Sequence, residues 1–222
     1  MKTKNNARQD AKISQAADGV TDLSDLYLTI TERAQAEQRI ERSVFIGYAA
    51  PAASEDEARQ FVAEIRELHR QATHNPFAYI IGTGSERLEY FHDHGEPGGT
   101  AGKPILGAIA RLNLTNTVVV VTRYYGGKKL GVRGLIDAYG STASLALAAA
   151  GIVERQKKAA LRLIVEYSAV DQVQYILAQH AATITNRIFA QQVEIHAEVA
   201  ESIAPALRKE LSSYAQLLDY GD

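Results

Sequence analysis

Apolar positions along this chain switch between two periods, and the switches mark its elements. Residues 26–34, "LYLTITERA", alternate β-branched and polar side chains as a strand does, and 43–50, "SVFIGYAA", reads as the partner strand. From Ser54 the period lengthens. Ala58, Phe61, Val62, Ile65 and Leu68 recur at helical spacing, behind a capping box formed by Ser54 and Glu57. His69 near the end of that helix suits its dipole and reads as structural. Strands are expected over 76–82 and 87–93, joined by the Gly-containing turn "TGSE". A helix follows from Pro104, where a missing N–H costs nothing, with Ile105, Leu106, Ile109 and Leu112 on its apolar face. "TVVVVT", 117–122, is apolar throughout and predicts a strand covered on both faces. A loop over 123–134 then leads into a helix of small residues, 135–151.

After residue 151 the order changes to strand, helix, strand, strand, helix, strand: 160–168, 170–182, 183–189, 192–200, 202–214 and 215–220. That βαββαβ order is the split arrangement of ferredoxin-like domains. Val193, Ile195, Ala197 and Val199 face one way, which turns His196, Glu194 and Glu198 to solvent. The fold class expected is α+β. Its parts are a polar, mobile leader over 1–22, an α/β domain over 23–153 and the ferredoxin-like domain over 158–222.

Composition narrows the function classes. The 222 residues are 46% apolar, enough for a packed core, and the net charge of −2 means that any basic surface is local. Cysteine is absent, which excludes disulfides, thiolate nucleophiles and cysteine-ligated metals and suits a reducing cytosol. No apolar run approaches the roughly 20 residues that span a bilayer, and the N-terminus lacks the apolar core of a secretory signal. A cytoplasmic location is expected, with no membrane.

Candidate chemistry lies in two loops. In "FHDHGEPGGTAGKP", 91–104, His92, His94, Asp93, Glu96 and a nearby His74 could offer metal ligands, but no established metal spacing is present and no metal is expected. A nucleotide P-loop fails because Pro97 and Pro104 stand where glycine and a hydroxyl residue are required, and no G-x-G-x-x-G supports a dinucleotide. No cofactor is implied. Two readings stay open. Either Lys103 and the free N–H groups at the helix start favour an anion, or Gly95, Gly98, Gly99 and Gly102 permit a sharp turn while Glu96 accepts backbone N–H bonds. The second loop, "TRYYGGKKLGVRG", gathers Arg123, Lys128, Lys129 and Arg133 around Tyr124 and Tyr125. Basic groups contact phosphates, aromatic faces stack on unpaired bases, and Gly126 and Gly127 let the backbone approach a ligand. The plainer reading is a solvated tip. No catalytic constellation is specific: Ser141, Thr142 and Ser144 sit within a helix, and Thr100 beside His94 and Glu96 is the one remaining hydroxyl–imidazole–carboxylate set.

Together the loops carry a resemblance. "HGEPGGTAGKP" followed by "RYYGGKKLGVRGLIDAYG" resembles the paired signature of the Impact/YigZ family, in its bacterial form, and the likeness extends to "ERSVFIGY", "ATHNPFAY" and the βαββαβ segment. Gly95, Glu96, Pro97, Thr100, Ala101, Gly102 and Pro104 match the first motif. Arg123, Tyr124, Tyr125, Gly126, Gly127, Leu130, Gly131, Gly134, Leu135, Ala138 and Tyr139 match the second. The resemblance implies a first domain similar to the second domain of ribosomal protein S5 and a second similar to domain V of the translocation GTPase. It also implies no established catalysis, and, from eukaryotic relatives, regulation of translation initiation by blocking a starvation-sensing kinase. The sequence departs from the family pattern at His94, where a second aspartate is usual, and at Arg133, where a small residue is common.

The expected function is binding of RNA, the ribosome or a translation factor without catalysis. Lys103, Arg123, Lys128, Lys129 and Arg133 would meet phosphates, and Tyr124 and Tyr125 would stack. The alternative is a small-molecule or phosphate-compound enzyme with its site between the loops at 94–104 and 123–134, using Glu96, His94 or Thr100 for proton transfer.

Overall fold

The structure, a computed structural model, describes residues 23–218, so the expected leader over 1–22 and the last residues of the 215–220 strand lie outside the described residues. Among the described residues, eleven strands and five α-helices divide into two units, one of 26–155 and one of 156–218 with 23–25.

The first unit is a five-stranded sheet with helices on both faces. Its strands are β2 (Ala34–Ile40), β3 (Ser43–Pro51), β4 (Phe77–Ile81), β5 (Leu88–His92) and β6 (Thr117–Tyr124), in the order β2-β3-β6-β4-β5 with every pairing antiparallel. Alternation distributes the side chains. Phe45, Ala49, Ala78, Ile80, Val119 and Val121 pack against α2 (Gly102–Arg111) and α3 (Gly131–Ala150). Phe77, Tyr79, Val118 and Val120 pack against α1 (Glu55–Leu68). β6 is covered on both sides, which is why its sequence is apolar without alternation. α1 starts where its cap predicts. The Glu57 N–H donates to Ser54 Oγ at 3.2 Å, and the Glu57 carboxylate accepts from Ala53 N at 2.8 Å, one residue outside the usual capping box.

Three expectations change. The 26–34 strand is two strands: β1 (Leu26–Ile30) pairs with β7 (Ile152–Gln156) in a small separate sheet, while β2 is the true partner of β3. The chain bends at Thr31 and Glu32, and period-two alternation alone does not register that break. Neither β2 nor β7 was expected. In β2 the inward positions include two alanines, Ala34 and Ala36, too weakly apolar to announce a strand. The second loop also ends sooner, because α3 starts at Gly131 and takes Arg133 and Gly134 into its first turn.

The second unit runs β8 (Lys158–Val165), α4 (Val170–Gln179), β9 (Thr183–Phe189), β10 (Val193–Ala200), α5 (Ala204–Leu211) and β11 (Ala215–Leu218). The sheet is antiparallel in the order β11-β8-β10-β9. Leu161, Leu163, Val193 and Ile195 meet Val173, Leu177, Leu207 and Leu211 in its own core. On the other sheet face Glu194 lies 2.5 Å from Arg162 and 2.7 Å from His196, and these partners hold its carboxyl below the usual range.

Candidate functional site

The two motif loops converge because their strands, β5 and β6, flank β4 in one sheet. At the end of β5, Asp93 accepts from the backbone N–H groups of Gly99 (2.8 Å), Ala101 (3.0 Å) and Gly102 (2.8 Å). Donors that would greet an anion at the start of α2 are thus already satisfied from within the chain. The role given to Glu96, accepting backbone N–H bonds, belongs to Asp93. Gly95 (φ 85°) and Gly99 (φ 74°) take the left-handed turns, whereas Gly98 and Gly102 do not have positive φ. Gly102 is required for another reason: a Cβ there would stand 2.9 Å from the His92 backbone.

The Glu96 side chain is buried and does something the sequence did not show. Its Oε1 accepts from Arg123 Nη1 at 2.6 Å and from the Tyr139 hydroxyl at 2.7 Å, with His74 Nε2 3.9 Å away. Burial, then the Glu96 carboxylate beside it, pushes the Tyr139 hydroxyl strongly up, so it stays a donor. Arg123 is 5% exposed, its guanidinium lying over the rings of Phe45 and Tyr125. Its charge alone led to the expectation of a phosphate contact at the tip, but the guanidinium is buried and paired with Glu96. It is the inner clamp between the two loops. Tyr124 is also engaged: its hydroxyl lies 2.8 Å from His69 Nδ1, and His69 Nε2 lies 2.6 Å from the Tyr48 hydroxyl. Burial lowers the His69 pKa, in keeping with a structural imidazole.

The histidines of the first loop are tied to the backbone. His94 Nδ1 accepts from Asn75 N at 3.0 Å, His92 Nδ1 accepts from His94 N at 3.0 Å, and His74 Nδ1 lies 3.0 Å from the His94 carbonyl. Burial, then the nearby Arg66, His92 and His74, lower the His94 pKa. Among the described residues no three His, Asp or Glu side chains are grouped to hold a metal ion. The hydroxyl–imidazole–carboxylate set does not assemble either, since Thr100 Oγ1 donates to the Pro97 carbonyl at 2.7 Å while Glu96 is held by Arg123.

What remains exposed is a smaller rim. Tyr125, Lys128, Lys129 and Arg133 are open to solvent, as is Lys103. Lys128 pairs with Glu41 at 2.6 Å and Arg133 with Asp137 at 3.0 Å. Such exposed pairs are worth about 0–1 kcal/mol and yield readily to a better anion. Lys103 and Lys129 have no ion-pair partner among the described residues. Gly126 fixes the loop against the β2–β3 turn, where a Cβ would fall 1.9 Å from the Arg42 carbonyl oxygen. Gly127 (φ 84°) and Gly131 (φ 69°) turn the chain, and Gly134 lies over Leu130. Pro97 supplies the carbonyl for the Thr100 turn, and Pro104 sits in the first turn of α2. Asp93, weighed only as a metal ligand, and Tyr139, named only as a motif match, carry bonds that the sequence did not reveal. An acid just before a glycine-rich turn was the available signal for Asp93.

No helix among the described residues is long and apolar enough to cross a membrane. Residues 41–147 match the Impact N-terminal domain, and residues 163–215 match a domain of unknown function, DUF1949. The IMPACT family member YvyE of Bacillus subtilis is 36% identical over 79% of this chain and 80% of its own length. The IMPACT family member YigZ of Escherichia coli is 33% identical over 67% of this chain and 74% of its own. A crystal structure of a hypothetical protein, 27% identical, covers 89% of this chain and 98% of its own with a TM-score of 0.65. The fold is the mixed α+β, two-unit fold of that structure, and with relatives of this identity and coverage the chain belongs to the IMPACT family.

Proposed function

We propose that this protein is a non-enzymatic, cytoplasmic regulator that acts in translation by binding RNA through the rim of Tyr125, Lys128, Lys129 and Arg133, with Lys103 beside it. The observation that carries the reading is the division of labour in the second motif. Arg123 and Tyr124 are spent on holding the loop, while the remaining basic and aromatic side chains stand exposed on that rigid base. Basic groups supply phosphate attraction, and Tyr125 offers a stacking face. The link to translation rests on family membership. The absence of catalysis rests on Asp93 and Glu96, the acids best placed for proton transfer, being committed to structural bonds. The βαββαβ order with its β11-β8-β10-β9 sheet supports a ferredoxin-like second domain over 158–222. The first domain, 23–153, would be of the S5 second-domain kind.

The test is a charge reversal of the rim. Lys128→Glu/Lys129→Glu/Arg133→Glu should weaken binding of a single-stranded RNA at least tenfold. It should also flatten the dependence of log K on log salt by about 2, at about 0.7 per charge lost. Unchanged affinity and slope overturn the RNA reading. Association with ribosomal material that survives nuclease would replace it with a protein partner.

A further inference from the structure

α1 covers Phe77 and Tyr79 but leaves β5 exposed along its length. Between the helix and the β4–β5 edge runs an open groove of about 480 Å³, lined by Val62, Arg59, Arg66, Phe77, Tyr79 and Tyr90 among others. The antiparallel register sets Phe77 opposite His92 and Tyr79 opposite Tyr90. The four rings therefore form a block, with His92 18° from parallel to Phe77 at 5.8 Å and Tyr90 21° from parallel to Tyr79 at 5.3 Å. The inner pair is buried; the outer pair is not, and Tyr90 is 40% exposed. Tyr79 is locked in place because its hydroxyl donates to Glu55 Oε1 at 2.6 Å. Burial and then that bond push it up to about 12, so it stays a donor.

The two arginines of the groove differ. Arg59 is neutralised by the same Glu55 at 2.7 Å. Arg66 has no carboxylate within 4.0 Å among the described residues, its Nε is buried without a hydrogen-bond partner, and its guanidinium lies 5.1 Å over the Phe77 ring. The one acid lining the groove, Glu67, is engaged by Arg70 at 3.3 Å. A guanidinium on the wall of an open groove with no carboxylate paired to it keeps its charge for an anion. An exposed ring beside such a donor calls for something flat. A space of this size is in the range of small-ligand sites, about 300–1,000 Å³.

We infer that the groove holds one nucleotide unit, its base stacked on Tyr90 and its phosphate on Arg66. Either a free nucleoside monophosphate or a stretch of single-stranded RNA presents this chemistry. These observations are independent of the basic rim at 125–133.

Titration of the full chain with adenosine and uridine monophosphates, and with a fluorescein-labelled single-stranded RNA of twelve uridines, tests the inference. Isothermal titration calorimetry reports the monophosphates without depending on Tyr90 as a reporter. Tyr90→Ala should weaken binding about tenfold, as loss of one stacked base does, while Tyr90→Phe should bind as the parent does. Arg66→Gln should weaken it about as much and reduce the salt slope for RNA by about 0.7. Thermal melts keep misfolding apart from loss of binding, and Tyr90→Phe serves as the folded control. Binding of a monophosphate that Tyr90→Ala weakens about tenfold assigns the groove to the free nucleotide. Binding of the RNA alone, with the same sensitivity, assigns it to the polymer. Parent-like affinity of both Tyr90→Ala and Arg66→Gln overturns the inference, as does binding of neither probe. Loss of RNA binding in the triple rim variant with no effect of Tyr90→Ala would sink the groove and leave the rim. The reverse pattern would sink the rim and leave the groove.

Discussion

Glu96 and Arg123 stand 27 positions apart and meet at 2.6 Å with side chains only 4% and 6% exposed. A buried pair adds little beyond an apolar filling of the same volume, but loss of one partner leaves an uncompensated charge. Arg123→Met should therefore destabilise the first unit by about 3–5 kcal/mol, read as a shift in urea midpoint. The double variant Glu96→Gln/Arg123→Met should recover part of that loss. A parent-like melt for Arg123→Met would remove the pair from its role as the bond between the two loops. Both residues were picked out from the motifs, yet their partnership was not legible. Local patterns carry burial and turn signals, whereas a contact at this sequence separation exists only once the sheet is assembled. The same limit explains why Arg123 read as a surface cation.

Elements with strong local physics were the legible ones. The capped amphipathic helix α1 and the unbroken apolar run of β6 are dictated by near neighbours and appear where expected. β7 owes its existence to β1, far along the chain, and β2 is a hairpin partner of β3; the residues of both are too polar or too small to declare a strand. The loop between β6 and α3 offers a contrast that tests how it is held. Gly126 has no room for a Cβ against the Arg42 backbone, so Gly126→Ala should cost about 2–3 kcal/mol or more. Gly127 has open space around it and only its φ of 84° to object, so Gly127→Ala should cost about 1–2 kcal/mol. Equal melting temperatures for the two variants would show that the loop is not seated on the β2–β3 turn.

At the scale of the whole molecule, each unit covers its sheet with its own apolar core. The site was less legible than the fold, because its outcome depends on which charges find each other. Position 94 shows how far that reaches. His94 sits at φ 47°, a conformation that aspartate also tolerates, and Arg66 is near enough to depress its pKa. With a neutral imidazole there, Arg66 keeps its full attraction for anions. The aspartate usual in the family signature would set a counter-charge beside it, and His94→Asp should weaken oligonucleotide binding severalfold without a change in melting temperature. Undiminished binding in that variant would separate position 94 from the groove. One side chain outside the core thus acts as a tuning screw, by which proteins of identical architecture could come to retain different cargo.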